Sequence, residues 1–164
     1  MHTQNAKLSG IRTAVPGDIP AIVSVINAAY SIETFFGGTR TNTADVTGIM
    51  EKGEFLVSED AAAGIVACCY TQADGDRGYV GMLSVEPSRQ GTGLGLAMLE
   101  AAEEHCRRHG CRLVELTVLS LRAELVPFYR KLGYVETGTQ ELVPPPSRSV
   151  EVECHLITMS KALG

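Results

Sequence analysis

Three glycines at alternate positions, in Arg89-Gln90-Gly91-Thr92-Gly93-Leu94-Gly95, form the stretch with the plainest chemical use. A backbone without Cβ atoms can close on a ligand. Before this stretch runs an apolar segment, Tyr79 to Val85, which reads as a strand buried on both faces and ended by Pro87. After it a helical pattern continues to Gly110. A helix N-terminus presents unpaired N–H groups and the positive end of the dipole, so strand, glycine turn and helix together make a cradle for pyrophosphate. The Thr92 hydroxyl is a further donor there, and Arg89 is either a phosphate contact or a solvated loop cation. Two common phosphate motifs do not fit. A Walker loop requires Gly-Lys-Ser/Thr, whereas Gly95 precedes Leu96 and Ala97; a dinucleotide fingerprint requires a third glycine where Leu96 or Met98 stands. The second failure argues against a nicotinamide-dependent oxidoreductase.

Gln90-Gly91-Thr92-Gly93-Leu94-Gly95 resembles instead the acyl-CoA loop of the GNAT family of N-acetyltransferases, Arg/Gln-Gly-x-Gly-x-Gly/Ala between a buried strand and a helix. Downstream, Phe128-Tyr129-Arg130-Lys131-Leu132-Gly133-Tyr134 is similar to the family's second signature, aromatic-Tyr-x-Lys-Leu-Gly-aromatic. The resemblance implies transfer of an acetyl group from acetyl-CoA to a primary amine by direct attack in a ternary complex. It places the pyrophosphate of coenzyme A on Gln90, Gly91, Thr92, Gly93, Leu94 and Gly95, and the pantetheine arm along Leu83, Ser84 and Val85. Tyr129 takes the general-acid position, against the alternative of core packing beside Phe128. The segment after the first helix lines the family's acceptor pocket, which points to Glu33, Phe35 and Phe36 on the substrate side; the same phenylalanines could equally pin a loop to the core.

The chemistry itself sets further requirements. An alkyl amine with a pKa of about 10.4 is mostly protonated at neutral pH, so a base or a water chain assists attack, whereas a thiol leaving group near 8.5 departs with or without an acid. The strand before the glycine loop carries no carboxylate. Glu115, in Leu113-Val114-Glu115-Leu116-Thr117-Val118, is either a base or a solvated strand residue, and Glu33, Glu54 and water are alternatives. Where the family often has asparagine, seven residues before the tyrosine, this chain has Arg122, which could pair with Glu124 or a phosphate. A non-catalytic CoA-binding module is the rival reading. His105 and His109 lack partners at a recognisable metal spacing, so no metal is expected, and Cys154-His155 would point to opposite faces of a strand.

The net charge of −5 excludes the electrostatic footprint of a nucleic-acid binder. No apolar run approaches the ~20 residues of a membrane span. Neither a secretory leader nor a Cys-x-x-Cys pair is found, so the five cysteines read as free thiols of a cytoplasmic protein. Homodimerisation is a habit of the resembling family.

These residues require a scaffold. With 45% apolar content over 164 residues, the chain reads as one domain, residues 1–164, with 1–9 a flexible N-terminus. Ile11 to Val15 reads as a first strand, Asp18 caps a helix ending near Tyr30, and Thr43 to Glu51 is a second helix. Three strands follow, joined by hairpins at 60–63 and 74–78. The helix after the glycine loop should carry Glu103/Arg107 and Glu104/Arg108 pairs on its wet side. Strand Cys111–Val118 precedes an amphipathic stretch, Leu121 to Leu132, in which Pro127 implies an interruption, a kink or a helix starting close to it. Tyr134–Thr137 and Val150–Met159 are the last strands, separated by a stiff loop with Pro144-Pro145-Pro146. The expected fold class is α/β: a central mixed, mostly antiparallel twisted sheet of about seven strands flanked by about four helices.

Overall fold

Alternation along the strands divides the apolar side chains between two cores. A computed structural model describes residues 10–32, 36–144, 148–150 and 152–164. Phe55 and Val57 of β3 (Glu54–Asp60), with Cys68 and Tyr70 of β4 (Gly64–Asp74), meet α1 (Ile19–Ala29) and α2 (Thr43–Met50) on one face of the sheet. The intervening residues Leu56, Ala67 and Cys69 point the other way. They join Val80 of β5 (Arg77–Val85), Val114, Leu116 and Val118 of β6 (Leu113–Leu119), α3 (Leu94–Arg108) and α4 (Leu125–Lys131). β1 (Ile11–Thr13), β7 (Val135–Glu141) and β9 (His155–Ala162) complete a seven-stranded sheet in the order β1-β3-β4-β5-β6-β9-β7. The fold is therefore the expected mixed α/β sheet with four α-helices.

Among the described strands only β5 and β6 run parallel, and they pair for three residues: Arg77 with Leu113, Gly78 with Val114, and Tyr79 with Glu115. β5 continues to Val85 against β4 on its other side, through an irregularity between Cys68 and Tyr70. There Met82 takes φ 52°, a left-handed conformation that a side-chain-bearing residue adopts only under constraint. α3 lies close behind. A Cβ at Gly78 would come within 2.6 Å of the Cys106 sulfur, so glycine allows the helix to press onto the strand.

Local expectations are refined in several places. Asp18 stands at the start of α1 without capping it; its carboxylate accepts the Val15 N–H at 2.8 Å and pairs with Arg12. Asn42 does cap α2, accepting the Asp45 N–H at 2.8 Å. Pro127 falls in the first turn of α4, where the first N–H groups have no intrahelical acceptor, so of the three readings the helix that starts close to Pro127 is the one observed. The final strand begins at His155 rather than Val150; Val150 belongs to β8 (Arg148–Val150), which pairs with β2 (Phe36–Gly38) in a separate ribbon. β7 extends to Glu141 because β9 offers it a partner as far as His155.

Glu103 departs furthest from expectation. It lies four residues after Leu99 and one after Ala102, on the buried side of α3, and is only 7% exposed. Its Oε2 accepts the Tyr134 hydroxyl at 2.7 Å, and the Lys161 ammonium lies 3.1 and 3.2 Å from its two oxygens. Arg107 turns instead to Glu104 and to the Leu163 carbonyl. The buried carboxylate thus ties α3, the corner after α4, and β9 together. Removing one member exposes the desolvation cost of the others. Tyr134→Phe is expected to lower stability by about 1–2 kcal/mol, and Lys161→Met by about 3 kcal/mol because the carboxylate loses its counter-charge. Urea denaturation of both variants and of the double variant checks this; additive losses would show that the three groups do not act as a unit.

Candidate active site

Beyond Tyr79 and Glu115 the two parallel strands separate, and a cleft of about 450 Å³ opens between them. Its walls come from Leu83 and Val85 of β5, Thr117 of β6, and Arg122, Phe128 and Tyr129. Because β6 has moved away, the β6-facing edge of β5 has no strand partner beyond Tyr79. A sheet edge of this kind leaves amide and carbonyl groups for an extended ligand to pair with. One of them, the Val85 carbonyl, accepts the Gln90 side-chain amide at 3.2 Å. Ser84 alternates away from the cleft: it is buried, and its hydroxyl donates to the Met82 carbonyl at 3.0 Å. Its main chain is paired with Cys68 of β4, so the open edge beside it belongs to the neighbouring Val85.

The glycine loop closes one end of the cleft, with Gln90 and Gly95 in its lining. Gly91 and Gly93 have φ of 81° and 83°, the left-handed region that side chains disfavour. Gly93 is the N-cap of α3 and its carbonyl accepts the Ala97 N–H, so the N–H groups of Leu94, Gly95 and Leu96 have no acceptor within the helix. Nothing lies within 4 Å of where a Gly91 Cβ would stand. This is a cradle of backbone donors and open space, and it fits a pyrophosphate. Two side chains proposed for the same ligand are already engaged: the Thr92 hydroxyl donates to the Arg89 carbonyl at 2.6 Å, and Arg89 pairs with Asp60 at 2.8 Å.

Tyr129 lines the same cleft. Its ring meets Phe128 and Tyr134 edge-on, with centroids 5.2 and 5.7 Å apart, and its carbonyl accepts the Tyr134 N–H. Packing and cleft lining are thus both true of this residue. Burial pushes the phenol up to about 12, while the nearby Arg122 charge works in the opposite direction. Arg122 holds Glu124 at 2.7 Å.

Other sequence candidates fall elsewhere. Glu115 does not line the cleft; it pairs with Arg77 at 2.8 Å across the paired end of β5 and β6. It shares a strand face with Thr117, which does line the cleft. Glu54 meets His105 at 3.2 Å on the α3 side. Glu33 and Phe35 lie outside the described residues, as do Pro145 and Pro146, and Phe36 is placed only by its backbone pairing with Val150. Tyr30 and Ile32, which line the cleft from the turn after α1, escaped sequence reasoning although they adjoin that segment. Among the described residues no group of three His, Cys, Asp or Glu side chains comes together to hold a metal. None of the helices there is long and apolar enough to cross a membrane.

This geometry agrees with comparisons to known proteins. The model of the Acetyltransferase (GNAT) family matches residues 29–134. The chain is 30% identical over 145 residues to a mycothiol acetyltransferase of Saccharomonospora viridis, covering 79% of this chain and 47% of that protein. It is 33% identical over 93 residues to glucosamine 6-phosphate N-acetyltransferase 1 of Oryza sativa subsp. japonica, covering 52% and 54% respectively. The chain thus spans about half the length of these curated relatives. Among solved structures, the ribosomal-protein-S18-alanine N-acetyltransferase of Escherichia coli superposes with a TM-score of 0.71 at 21% identity, over 94% of this chain and 93% of that one. A Salmonella typhimurium protein described as an acetyltransferase, solved with its cofactor acetyl-CoA, superposes with a TM-score of 0.70 at 20% identity, over 94% and 93%. By its matched family model and its fold, this chain belongs to the GNAT acetyltransferase family.

Proposed function

We propose that this protein is an N-acetyltransferase that moves the acetyl group of acetyl-CoA directly to a primary amine within a ternary complex. The observation that carries this reading is the cleft itself: one channel lined by the backbone-donor loop, by a strand edge without a strand partner and by Tyr129. Acetyl-CoA supplies an activated thioester. Gln90 to Gly95 hold its pyrophosphate through backbone N–H groups, and Leu83 and Val85 pair their main chain with its amide-bearing arm, while Ser84 between them stays paired with β4. Tyr129 acts at the leaving sulfur, donating a hydrogen bond from its phenol. The amine's proton passes to water, because the carboxylate of Glu115 is committed to Arg77 outside the lining of the cleft.

The acceptor is a small-molecule or peptide amine. The printed names of the relatives span a sugar phosphate and a ribosomal-protein alanine, which sets that range. Glu33, Phe35 and Phe36, following the turn after α1, belong to the acceptor side together with Tyr30 and Ile32. The reaction described here needs no metal, no nucleic acid and no membrane. A cytoplasmic setting suits the free thiols, and two copies of the chain would act as independent sites or as a homodimer. A module that binds coenzyme A without turnover is the second reading, supported by the lack of a carboxylate among the described residues lining the cleft.

Three outcomes follow. Calorimetric titration with acetyl-CoA should show binding, and Gly93→Asp should weaken it at least ~100-fold, since an anion and a side chain at a left-handed position both oppose pyrophosphate. Unaltered binding in a folded Gly93→Asp protein would remove the loop from the site. Turnover measured over a panel of amines separates enzyme from binding module, and Tyr129→Phe should lower kcat by about 100-fold while leaving the KM for acetyl-CoA within about twofold. The pH profile has a defined sign. An acid is lost as pH rises through its pKa, and with Tyr129 at about 12 the rate should climb with amine deprotonation and show no tyrosine-dependent fall below about pH 11. A fall near pH 9 that disappears in Tyr129→Phe would contradict this assignment.

A further inference from the structure

Arg40 is a half-buried cation whose guanidinium lies over the Tyr30 ring, 5.1 Å from its centroid. Tyr30 belongs to the turn Tyr30–Ile32 after α1 and lines the cleft. Among the described residues no carboxylate pairs with Arg40, whereas Arg77 holds Glu115, Arg89 holds Asp60 and Arg130 holds Glu136. A stacked guanidinium spends its face on the ring, and its N–H donors lie in the plane, where they stay available to an anion. The main chain beside Arg40 is anchored without any ligand. Asn27 of α1 accepts the Thr41 N–H at 2.9 Å and donates to the Thr41 carbonyl at 3.1 Å, and the Thr39 hydroxyl donates to that carbonyl at 3.1 Å. Asn27 stands about one helical turn before Tyr30, so the end of α1 holds both the anchor and the ring under the cation.

We infer that Arg40 binds a negative charge on the acceptor, so that the substrates are primary amines carrying a carboxylate or a phosphate group. The inference rests on the proposed function and names the class of amine that the same cleft takes. An acceptor lying along Tyr30 directs its amine into the cleft and its far end to the guanidinium. Carboxylate and phosphate share the chemistry required, two oxygens spaced to accept a pair of N–H groups from one planar cation. The described lining of the cleft holds no carboxylate to repel such a group. Partial burial also keeps the attraction stronger than between two groups in open water. In a chain of net charge −5, an arginine left without a counter-ion beside the cleft is the feature that sets acceptor choice. The phosphates of acetyl-CoA have their own donors in the glycine loop, and Arg40 takes no part in making or breaking bonds.

Rates on the full chain, with acetyl-CoA saturating, test this over three sets of amines matched in chain length: amino carboxylates, aminoalkyl phosphates and the uncharged amino carboxamides. Each anionic amine is compared with its carboxamide as a ratio of kcat/KM per unprotonated amine, so the folded fraction of a variant cancels. The native protein should favour the anion by at least ~tenfold, the size of a charge-assisted contact. The larger of the carboxylate and phosphate ratios identifies which anion the site takes. Arg40→Gln should bring the ratio to within about twofold of unity, and Arg40→Lys, which keeps the charge and loses the planar fork, should stand between. The native ratio should also shrink as salt rises from ~0.05 M to ~0.5 M. Carboxamides used as well as either anion by the native protein, a ratio untouched by salt, or an equal preference in Arg40→Gln would overturn the assignment and leave the acetyltransferase reading standing. So would a calorimetric loss of acetyl-CoA affinity in Arg40→Gln, which would give the cation to the coenzyme. If the native protein acetylates no amine at all, the proposed function fails, and this inference fails with it.

Discussion

The separation of β5 from β6 governs everything functional in this molecule. Parallel pairing lasts from Arg77/Leu113 to Tyr79/Glu115 and then stops, although both strands continue. Stopping leaves a row of main-chain groups without a strand partner, a cost that a closed sheet avoids. β5 can bear it because its other edge remains hydrogen-bonded to β4 as far as Val85. The irregularity at Met82, in a left-handed conformation, bends the strand within that pairing, where an extra residue increases local twist. A split sheet with one secured edge supplies a rigid trough lined by backbone, and the side chains on either lip decide its chemistry.

The helices complete the trough from opposite ends. α3 starts at the glycine loop and directs its free N–H groups into one end; its middle lies against the sheet through Met98, Leu99 and Ala102. At Glu103 it is bound to Tyr134 and Lys161. Tyr134 in turn packs edge-on against Tyr129, which lines the cleft. Phosphate cradle and candidate acid are therefore attached to one hydrogen-bonded, desolvated cluster, in which each member depends on the other two. That arrangement explains why a carboxylate can stand at an otherwise apolar position of the helix.

Charge is distributed unevenly between surface and cleft. The chain carries a net charge of −5, yet the described lining of the cleft holds an arginine and no carboxylate. Of the acidic residues offered as bases, Glu115 is held by Arg77 and Glu54 near His105, while Glu33 lies outside the described residues.

Much of this was legible in the chain itself, because local rules govern it. Alternating glycines after an apolar strand and before a helical repeat identify a loop whose left-handed positions only glycine occupies comfortably, and the observed φ values at Gly91 and Gly93 bear this out. Period-two alternation in β3 and β4 and helical periodicity in α1 and α3 determined which side chains face a core, and hence the mixed sheet with helices on both faces. Residue spacing could not reveal which groups meet across the fold. Spacing put Glu103 on the wet side of its helix and left Glu115 two readings: the first turned inward because Tyr134 and Lys161, 31 and 58 residues away, satisfy it, and the second stayed with Arg77, 38 residues away. The start of β9 at His155 and the length of β7 were likewise decided by pairing between distant segments. Local sequence determines the conformation a segment prefers, whereas the state of a charge depends on the partners and solvent that tertiary packing brings to it.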